Sequence, residues 1–258
     1  MRKTSSIAIA CLIALGVIGC GNEAGSNNAS SNSPSKSNST EGNSANNEAA
    51  NTPNTASNNE PAKPQEPGID LGKLPASLKS DAFEYYGLGR TEPIKMTVVR
   101  GSDHQEATQT VKLSKVGSDY AEFTITSDGA LAELGEVKVR LDKQGIKVIS
   151  VKGSAADPDT FELPNGLTTG KSWPFKLPGN DPKVSGVNKV SGTEQVKTAV
   201  DTYKDALLVV TTASGTQAGQ KIQLKSKQWL VKGRGQVKAE ITNVAGKTTT
   251  TVTMEESK

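Results

Sequence analysis

Apolar and polar residues alternate along most of the chain beyond residue 69. β-Branched residues dominate these runs, and Gly, Asn or Asp separates them at the spacing of hairpin turns, as at 142–145 and 243–246. A period of two places successive side chains on opposite faces, so one face of each strand packs and the other meets water, as in an antiparallel sheet. The alternating runs are 95–99, 110–113, 120–125, 137–141, 221–224, 237–241 and 251–254.

Helical periodicity is confined to one segment. Leu74, Leu78, Phe83 and Tyr86 could share one face of a helix over residues 74–86. Residues 201–208 fit either a helical turn or the start of a strand, and we favour the strand. The pattern therefore predicts an all-β or mainly β fold, built as an antiparallel curved sheet, a sandwich or a half-barrel.

Two parts of the alternating region are loosely similar in sequence. Residues 120–125 followed by 136–149 resemble residues 206–210 followed by 220–237. In each part a strand leads to a Gly-containing turn and then to a hairpin of basic and aliphatic residues. This similarity predicts a duplicated β unit, although any all-β chain shows some self-similarity.

The segment before the alternating region lacks large apolar residues. Residues 22–66 contain no Val, Ile, Leu, Met, Phe, Tyr or Trp. Because such a segment has nothing to bury, it does not offset the entropy of ordering, and we expect a disordered tether. A flexible chain of this length spans about 35–40 Å, which is enough to hold a domain clear of lipid head groups.

The first residues have the layout of a secretory signal peptide. A basic start precedes an apolar run at residues 7–15 that is too short to span a bilayer. Val17, Ile18, Gly19 and Cys20 follow, and this segment resembles the lipobox of bacterial lipoproteins. The resemblance implies that Val17, Ile18 and Gly19 form the recognition signal. It also implies that the chain is cut before Cys20 and that this thiol receives a diacylglyceryl group, with acyl chains such as palmitate.

The lipid predicts where the protein resides. Two or three acyl chains on Cys20 would hold it at a membrane essentially permanently. Gly21 follows the cysteine, in place of the aspartate that favours inner-membrane retention in lipoproteins of enteric bacteria. The resemblance therefore implies the outer membrane if the host has one, and otherwise the outer face of the cell membrane. The alternative is an ordinary signal peptide with a chance cysteine.

These patterns divide the chain into three parts. Residues 1–19 are the predicted signal peptide, 20–68 the lipidated cysteine and tether, and 69–258 the antiparallel β domain. Lys and Arg total 30 against 27 Asp and Glu, for a net charge of +3, so composition gives no signal for nucleic acid binding. The two cysteines of the chain are Cys11 and Cys20, which leaves the predicted β domain without a disulfide.

The second half of the chain resembles a group of uncharacterised bacterial envelope proteins, the TapB type. The residues that carry the resemblance are Leu163-Pro164, Gly170-Lys171-Ser172-Trp173, Val190-Ser191-Gly192-Thr193-Glu194-Gln195-Val196 and Trp229-Leu230-Val231-Lys232-Gly233-Arg234-Gly235-Gln236-Val237-Lys238. The match covers residues 163–240, and the chain departs from it at 198–203, where the group has a Thr-Pro-Ala-Gly-Thr-Phe turn. The resemblance implies an antiparallel β fold at the cell envelope and no known catalytic activity.

Four residues of this region are candidates for core packing or for ligand binding. Trp173 and Trp229 are the largest apolar side chains in a domain poor in aromatic residues, so we expect them to organise its packing. The glycines on either side of Arg234 indicate a bulge or a close backbone approach within a strand. The functional alternative is a ligand groove lined by Trp229, Lys232 and Arg234.

The sequence lacks the patterns of known catalytic and metal sites. His104 is the single histidine, and its polar surroundings predict an exposed turn. Residues 166–172 and 245–248 resemble phosphate-binding loops only superficially, because the glycine spacing is wrong and no helix follows. The carboxylates at 157–159 are too few for a calcium site. We therefore expect no enzymatic activity, no cofactor and no metal.

Two functions are compatible with these patterns. The first is a lipid-anchored, non-enzymatic envelope protein whose β domain binds a partner protein or supports envelope structure. The second is a carrier that binds lipid or another apolar ligand on an open face of the sheet. A closed core would favour the first function, and an apolar cavity of roughly several hundred Å³ would favour the second.

Overall fold

The computed structural model describes four ranges of the chain, 70–156, 160–177, 183–217 and 219–258. The predicted signal peptide, Cys20, the tether and the acidic turn at 157–159 lie outside the described residues. Within the described ranges, no helix combines the length and apolar character that crossing a membrane requires.

Thirteen strands, three 3₁₀ turns and one short α-helix make up the described part. The helical segments are the 3₁₀ turns Leu71–Lys73, Ala76–Leu78 and Ala132–Leu134, and the helix α1 (Asp81–Tyr86). The strands are β1 (Ile94–Arg100), β2 (Asp103–Val116), β3 (Tyr120–Gly129), β4 (Val137–Asp142), β5 (Gly145–Val151), β6 (Ser154–Ala155), β7 (Phe161–Pro164), β8 (Ser172–Lys176), β9 (Lys183–Lys197), β10 (Thr202–Gln217), β11 (Gln220–Val231), β12 (Gly235–Ala245) and β13 (Thr248–Glu256).

All thirteen strands belong to one antiparallel sheet. Their order is β6-β5-β4-β3-β2-β1-β13-β12-β11-β10-β9-β8, and β7 pairs with β5 beside this path. Each half of the sheet is a meander of strands that are consecutive in sequence, and the β1–β13 pair joins the two halves. Among the described residues the path does not close on itself. The prediction of an antiparallel, mainly β fold is confirmed.

The sheet is strongly curved, because strands far apart in its order pack together. Val139 of β4 and Val209 of β10 belong to one continuous cluster of buried apolar side chains. Seven strand spacings separate β4 from β10, which would place them about 34 Å apart in a flat sheet. The two ends of the sheet therefore face each other across a shared core.

Burial follows the alternation seen in the sequence. In β4 the side chains of Val137, Val139 and Leu141 are buried, while those of Lys138 and Arg140 are partly exposed. The same period of two runs through β12, from Val237 onwards. Apolar positions therefore line the inside of the curve and polar positions its outside.

The segments that appear duplicated in sequence fall in corresponding places. Residues 120–125 and 136–149 lie mainly in β3, β4 and β5, whereas residues 206–210 and 220–237 lie mainly in β10, β11 and β12. Each set is a three-stranded antiparallel meander. Common topology does not test common origin, so the duplication stays a prediction.

The helix predicted over residues 74–86 is wrong in length. The chain forms two 3₁₀ turns and begins α1 only after Ser80, whose side chain accepts a hydrogen bond from the backbone N–H of Phe83. Leu74, Leu78 and Phe83 are all buried. The apolar positions therefore point inward as predicted, although separate turns carry them there.

His104 lies in strand β2 and not in the predicted turn. Gly101 adopts a φ of 61°, which completes the connection from β1 within two residues, so β2 already begins at Asp103. His104 pairs with Val99 across the two strands and is exposed. The turn is thus tighter than the polar sequence indicated.

Arg234 lies in a turn and not within a strand, which corrects the sequence prediction. Residues 232–234 connect β11 to β12. A close backbone approach does occur beside it, since a Cβ atom on Gly235 would lie 2.8 Å from the carbonyl oxygen of Tyr86. The glycine therefore allows the turn to lie directly against α1.

Candidate ligand-binding cavity

The curved sheet encloses a hollow between α1 and the inner faces of β1, β2, β3, β7, β11, β12 and β13. Its cavity volume is about 80 Å³, and the space amounts to about 730 Å³ when the open mouth is included. That is room for several waters. The hollow is small.

Cross-strand pairing supplies the wall of the hollow. Val111 of β2 lies opposite Ile125 of β3, and Leu230 of β11 lies opposite Gln236 of β12. Directly opposed residues of antiparallel strands point to the same face, so each pair contributes two side chains to the wall. The wall is mainly apolar, with amide groups set into it.

Helix α1 closes one side of the hollow and contributes Tyr86 to its wall. The backbone N–H of Gly233 donates to the carbonyl oxygen of Glu84 at 2.9 Å, which ties the helix to the β11–β12 turn. Gly87 ends the helix at a φ of 74°, and a Cβ atom there would lie 2.8 Å from the backbone nitrogen of Gly235. Helix and turn therefore approach to a distance that glycine permits.

The hydroxyl of Tyr86 is buried and has no hydrogen-bond partner among the described residues. Burial raises the pKa of Tyr86 well above 10, and the negative charge of Glu162 raises it further. Glu162 also lines the hollow. The hydroxyl therefore stays protonated over the ordinary pH range.

A smaller chamber adjoins the hollow. The two spaces share Glu162, Leu163 and Gln228 as lining residues, and the smaller has an empty volume of about 310 Å³ with its opening included. Trp173 lines the smaller chamber. Its indole Nε1–H is buried and, like the Tyr86 hydroxyl, has no partner within the described ranges. Each space is thus lined by one residue whose polar atom is buried in the protein without a partner among the described residues.

Hydrogen bonding and apolar contact are the interactions available in the hollow. Its polar lining consists of Glu162, the two tyrosines of α1 and three glutamine side chains, and no Lys, Arg or His among the described residues lines it. In the described ranges, no group of three or more His, Cys, Asp or Glu side chains could hold a metal ion. The arrangement is therefore suited to binding a molecule that is mainly apolar.

A charged cluster lies around Glu256, close to the end of β13. Glu256 is only 2 % exposed and accepts hydrogen bonds from Arg234 at 2.6 Å, from the Tyr203 hydroxyl at 2.8 Å and from Arg90 at 3.2 Å. Burial raises the pKa of Tyr203 to about 12, aided by its hydrogen bond to Glu256. The cluster joins the segment after α1, β10, the β11–β12 turn and β13, and holds four parts of the chain together.

The two tryptophans lie in different environments. Each is 5 % exposed. Trp173 belongs to the large core cluster that includes Val139 and Val209, whereas Trp229 packs with Val196 and Ala206 in a separate cluster. The Trp229 indole N–H donates to the Glu194 carboxylate at 2.6 Å. Of the two tryptophans, Trp173 is the one that lines the smaller chamber.

Lys232 and Arg234 flank Gly233 in the β11–β12 turn but face different partners. The ammonium of Lys232 is exposed and lies 5.4 Å from the ring centre of Tyr85, at the edge of the hollow. Arg234 turns towards Glu256. Arg234 also lies 5.6 Å from the ring centre of Tyr203, and Tyr203 packs against the cluster that contains Trp229. The groove hypothesised from Trp229, Lys232 and Arg234 stays a prediction. Cys20 and the signal residues before it lie outside the described ranges.

Tyr86 and Gln228 are site residues that sequence reasoning did not single out. Gln228 lies in β11, where Ile222, Leu224, Ser226 and Gln228 occupy successive inward positions. The sequence signal for this site residue was therefore a polar side chain at an inward position of a strand. The tyrosine gave no comparable signal, because its hydroxyl becomes buried only through tertiary packing.

Comparison with known proteins identifies no family. No family model and no curated protein matches the chain. Among solved structures, the chain is similar to an inferred exported protein with a YmcC-like fold from Bacteroides fragilis, with 13 % identity, a TM-score of 0.39, and coverage of 64 % of this chain and 92 % of that chain. It is also similar to an inferred lipoprotein from Parabacteroides distasonis, with 11 % identity, a TM-score of 0.38, and coverage of 64 % and 93 %. At these values neither structure supports a function, and the lipobox and TapB-type resemblances remain predictions.

Proposed function

We propose that this chain is a lipid-anchored, non-enzymatic protein of the bacterial cell envelope that binds an apolar ligand inside its β domain. The observation that carries the ligand-binding part is the small, mainly apolar hollow between α1 and the curved sheet. Binding sites for small molecules are commonly concave, mainly apolar and provided with a few placed polar groups. The hollow is concave and mainly apolar and has placed polar groups, but its cavity volume of about 80 Å³ is below the several hundred Å³ expected of a carrier, so the proposal is for a small apolar ligand.

The proposed location at the membrane rests on the sequence. The basic start, the short apolar run and the residues Val17 to Cys20 are in the order that a lipoprotein signal requires. A long polar segment then separates Cys20 from the β domain. The protein would therefore be held by its lipid at the outer membrane, or at the outer face of the cell membrane where no outer membrane exists.

The other function expected from the sequence is the binding of an envelope partner, and a smaller feature supports it. Val187 of β9 is 49 % exposed and lies opposite Pro174 of β8, at the end of the sheet order. These two residues make a small apolar area compared with the patches that mark protein interfaces. The hollow is therefore the better-supported site.

Fluorescence quenching by a bromoalkane tests the proposal. Titration of the purified full chain with 1-bromooctane, without detergent, should quench part of the tryptophan emission, because bromine quenches on contact and Trp173 lines the smaller chamber beside the hollow. The Trp173→Phe variant retains only Trp229, which lies in a separate cluster, and should show no saturable quenching.

A matched pair of variants locates the binding. Leu163 lines both chambers, so the larger ring of Leu163→Phe should take up space in them and weaken 1-bromooctane binding by about tenfold. Val187→Phe adds the same ring on the outer face and should leave binding unchanged. Saturable quenching that is equal in wild type and Leu163→Phe would place the ligand elsewhere. No saturable quenching in wild type would refute ligand binding in the hollow.

A further inference from the structure

The outer face of strands β8 to β11 carries positive charge without negative charge. The parts of these strands that form it contain no Asp or Glu, over residues 172–176, 185–191, 208–216 and 220–228. The exposed lysines on it are Lys176, Lys189, Lys221, Lys225 and Lys227. The last four form no ion pair within the described residues. We call this surface the lysine face.

Strand register places a small apolar area in the middle of the lysine face. One row across the four strands consists of Pro174, Val187, Thr212 and Lys225, and the adjacent row contains Lys189, Val210 and Lys227. Directly opposed residues of antiparallel strands point to the same face, so the exposed Val187 lies between Lys189 and Lys225. The lysine face ends at β12, where Glu240 lies opposite Lys227 and pairs with a neighbouring lysine of its own strand.

The outer face of the other half of the sheet has a different charge pattern. Arg140 of β4 lies opposite Glu122 of β3, and the two form an ion pair of 2.7 Å. On the lysine face, by contrast, Lys225 and Lys227 are two residues apart on one strand, about 7 Å, which is within the Debye length of about 10 Å at 0.1 M salt. These charges repel each other and do not stabilise the sheet. A negatively charged partner would remove that repulsion.

An anionic lipid surface matches this combination of charge and apolar area better than a protein does. Pro174 and Val187 are a small area compared with the apolar patches of protein interfaces. At a lipid surface, each basic side chain adds attraction to anionic head groups, and a shallow apolar group enters the boundary beneath them. The proposed anchor at Cys20 would also hold the β domain near a membrane, so that a weak attraction acts at high effective concentration.

We infer that the lysine face docks on the anionic surface of the membrane, with Val187 at the level of the head groups and Lys189 and Lys225 beside lipid phosphates. This contact is additional to the lipid on Cys20. It rests on the location given by the proposed function and is independent of ligand binding in the hollow.

A fluorescent label shows which face meets the lipid. In the full chain with Cys11→Ser and Cys20→Ser, the substitution Thr212→Cys provides a single thiol for bimane on the lysine face. Thr126→Cys is the matched control, because Thr126 is exposed on β3 in the other half of the sheet. The vesicles contain phosphatidylcholine, about 30 % phosphatidylglycerol and a lipid whose head group bears a nitroxide quencher.

The label at position 212 should show quenching that saturates with vesicle concentration, and the label at position 126 should not. Vesicles of phosphatidylcholine and the quencher lipid alone should give no such difference, and about 0.5 M salt should remove it, because screening weakens the attraction. Equal quenching at the two positions, or a difference that persists without phosphatidylglycerol, would overturn the inference.

A matched pair of double variants tests the lysines. Lys189→Gln with Lys225→Gln should raise the vesicle concentration at half-maximal quenching by about fivefold for each lysine, or about 25-fold together. Lys138→Gln with Lys143→Gln removes the same charge from β4 and the turn after it, and should change that concentration by less than about twofold. The melting temperature of the first variant should equal or exceed that of wild type, because the variant loses like-charge repulsion. Equal effects of the two double variants would show that net charge, and not the lysine face, attracts the vesicles.

A soluble polyanion is the alternative occupant, and polyphosphate serves as its probe. If polyphosphate binding depends on Lys189 and Lys225 while anionic vesicles leave the label at position 212 unquenched, the lysine face binds a polymer and the membrane inference is wrong. Every chain in these experiments lacks Cys20, so failure here leaves the lipid anchor untouched. Conversely, loss of the anchor prediction would not alter the vesicle results.

Discussion

Arg234 and Glu256 are joined by two hydrogen bonds, with Nη2 2.6 Å from Oε1 and Nε 3.4 Å from Oε2. The pair connects the β11–β12 turn to the last strand, and Arg90 reaches the same carboxylate. Because Glu256 is buried, its charge is stable there only while these donors remain in place. The cluster thus fixes the turn that also supports α1.

Removal of the Glu256 charge should destabilise the protein. Glu256→Gln leaves two arginines without their shared carboxylate, and we expect a loss of about 3 kcal/mol, or about 6–12 °C in melting temperature. Glu240→Gln is the control, because Glu240 is more exposed and its pair with Lys238 is 3.7 Å long. It should change stability by less than about 0.5 kcal/mol. Equal effects of the two variants would show that the cluster contributes little.

The same cluster should make stability depend on pH on the acid side. Burial raises the pKa of Glu256, but hydrogen bonds from Arg234 and Tyr203 outweigh burial and hold that pKa below 4.5. A carboxyl with a depressed pKa contributes stability that is present above its unfolded value and is lost as pH falls through the folded value. Urea unfolding from about pH 6 to pH 3 should therefore show the difference between wild type and Glu256→Gln narrowing below about pH 4.5. A constant difference would contradict the assignment.

Trp229→Ala should be among the most damaging substitutions of the β domain. The side chain is 5 % exposed and packs with Val196 and Ala206, so we expect a cost of about 3–5 kcal/mol in urea unfolding. Glu194→Gln separates packing from the hydrogen bond, because it weakens the acceptor of the indole N–H and leaves the ring in place. That variant should cost about 1 kcal/mol. An unchanged unfolding curve for Trp229→Ala would show that the ring does not contribute to the core.

The close contact between α1 and the β11–β12 turn gives a steric prediction. Gly235→Ala places a methyl group 2.8 Å from the Tyr86 carbonyl oxygen at a φ of 82°. Gly246→Ala is the control, since its φ is 59° but no atom lies within 4 Å of the added carbon. We expect about 1–2 kcal/mol for Gly246→Ala, from backbone strain, and about 1–3 kcal/mol more for Gly235→Ala. Gly235→Ala should also weaken 1-bromooctane binding, because it displaces the wall that contains Tyr86.

Lipidation at Cys20 can be tested in cells by labelling with palmitate. Cys20→Ser should abolish the label and leave unprocessed precursor, because the serine hydroxyl does not replace the thiol in the modification. Cys11→Ser lies within the apolar run and should be processed and labelled like wild type. Label retained by Cys20→Ser would contradict the lipobox prediction.

The strands were predictable from sequence because their signal is local. Alternation within β4 places Val137, Val139 and Leu141 on one face, and the turn that follows begins with Asp142, whose side chain accepts a hydrogen bond from the backbone N–H of Gln144 at 2.7 Å. Such features depend on residues close together in the chain. The sequence patterns therefore identified most strands and their inward faces.

The hollow was not predictable because its walls come from distant segments. Tyr86, Val111 and Met254 meet there through the curvature of the sheet and the pairing of β1 with β13. Alternation assigns the inward face of each strand, but it does not say which strand lies opposite. Polar residues at buried strand positions, such as Ser226 and Gln228 of β11 and Asn243 of β12, were the local signal of a polar interior.

The pairing of β1 with β13 also determines the order in which the domain can be completed. Synthesis proceeds from the amino end, so the meander from β1 to β6 emerges long before β13, the second partner of β1, has been made. Until Thr248–Glu256 arrives, β1 and β12 are both open edges that can pair with other chains. Pairing of β1 with β13 is thus a late event that joins strands more than a hundred residues apart, and chains of this kind fold slowly. Truncation before β13 would leave two half-sheets whose edge strands are unpaired, and we expect such a product to aggregate.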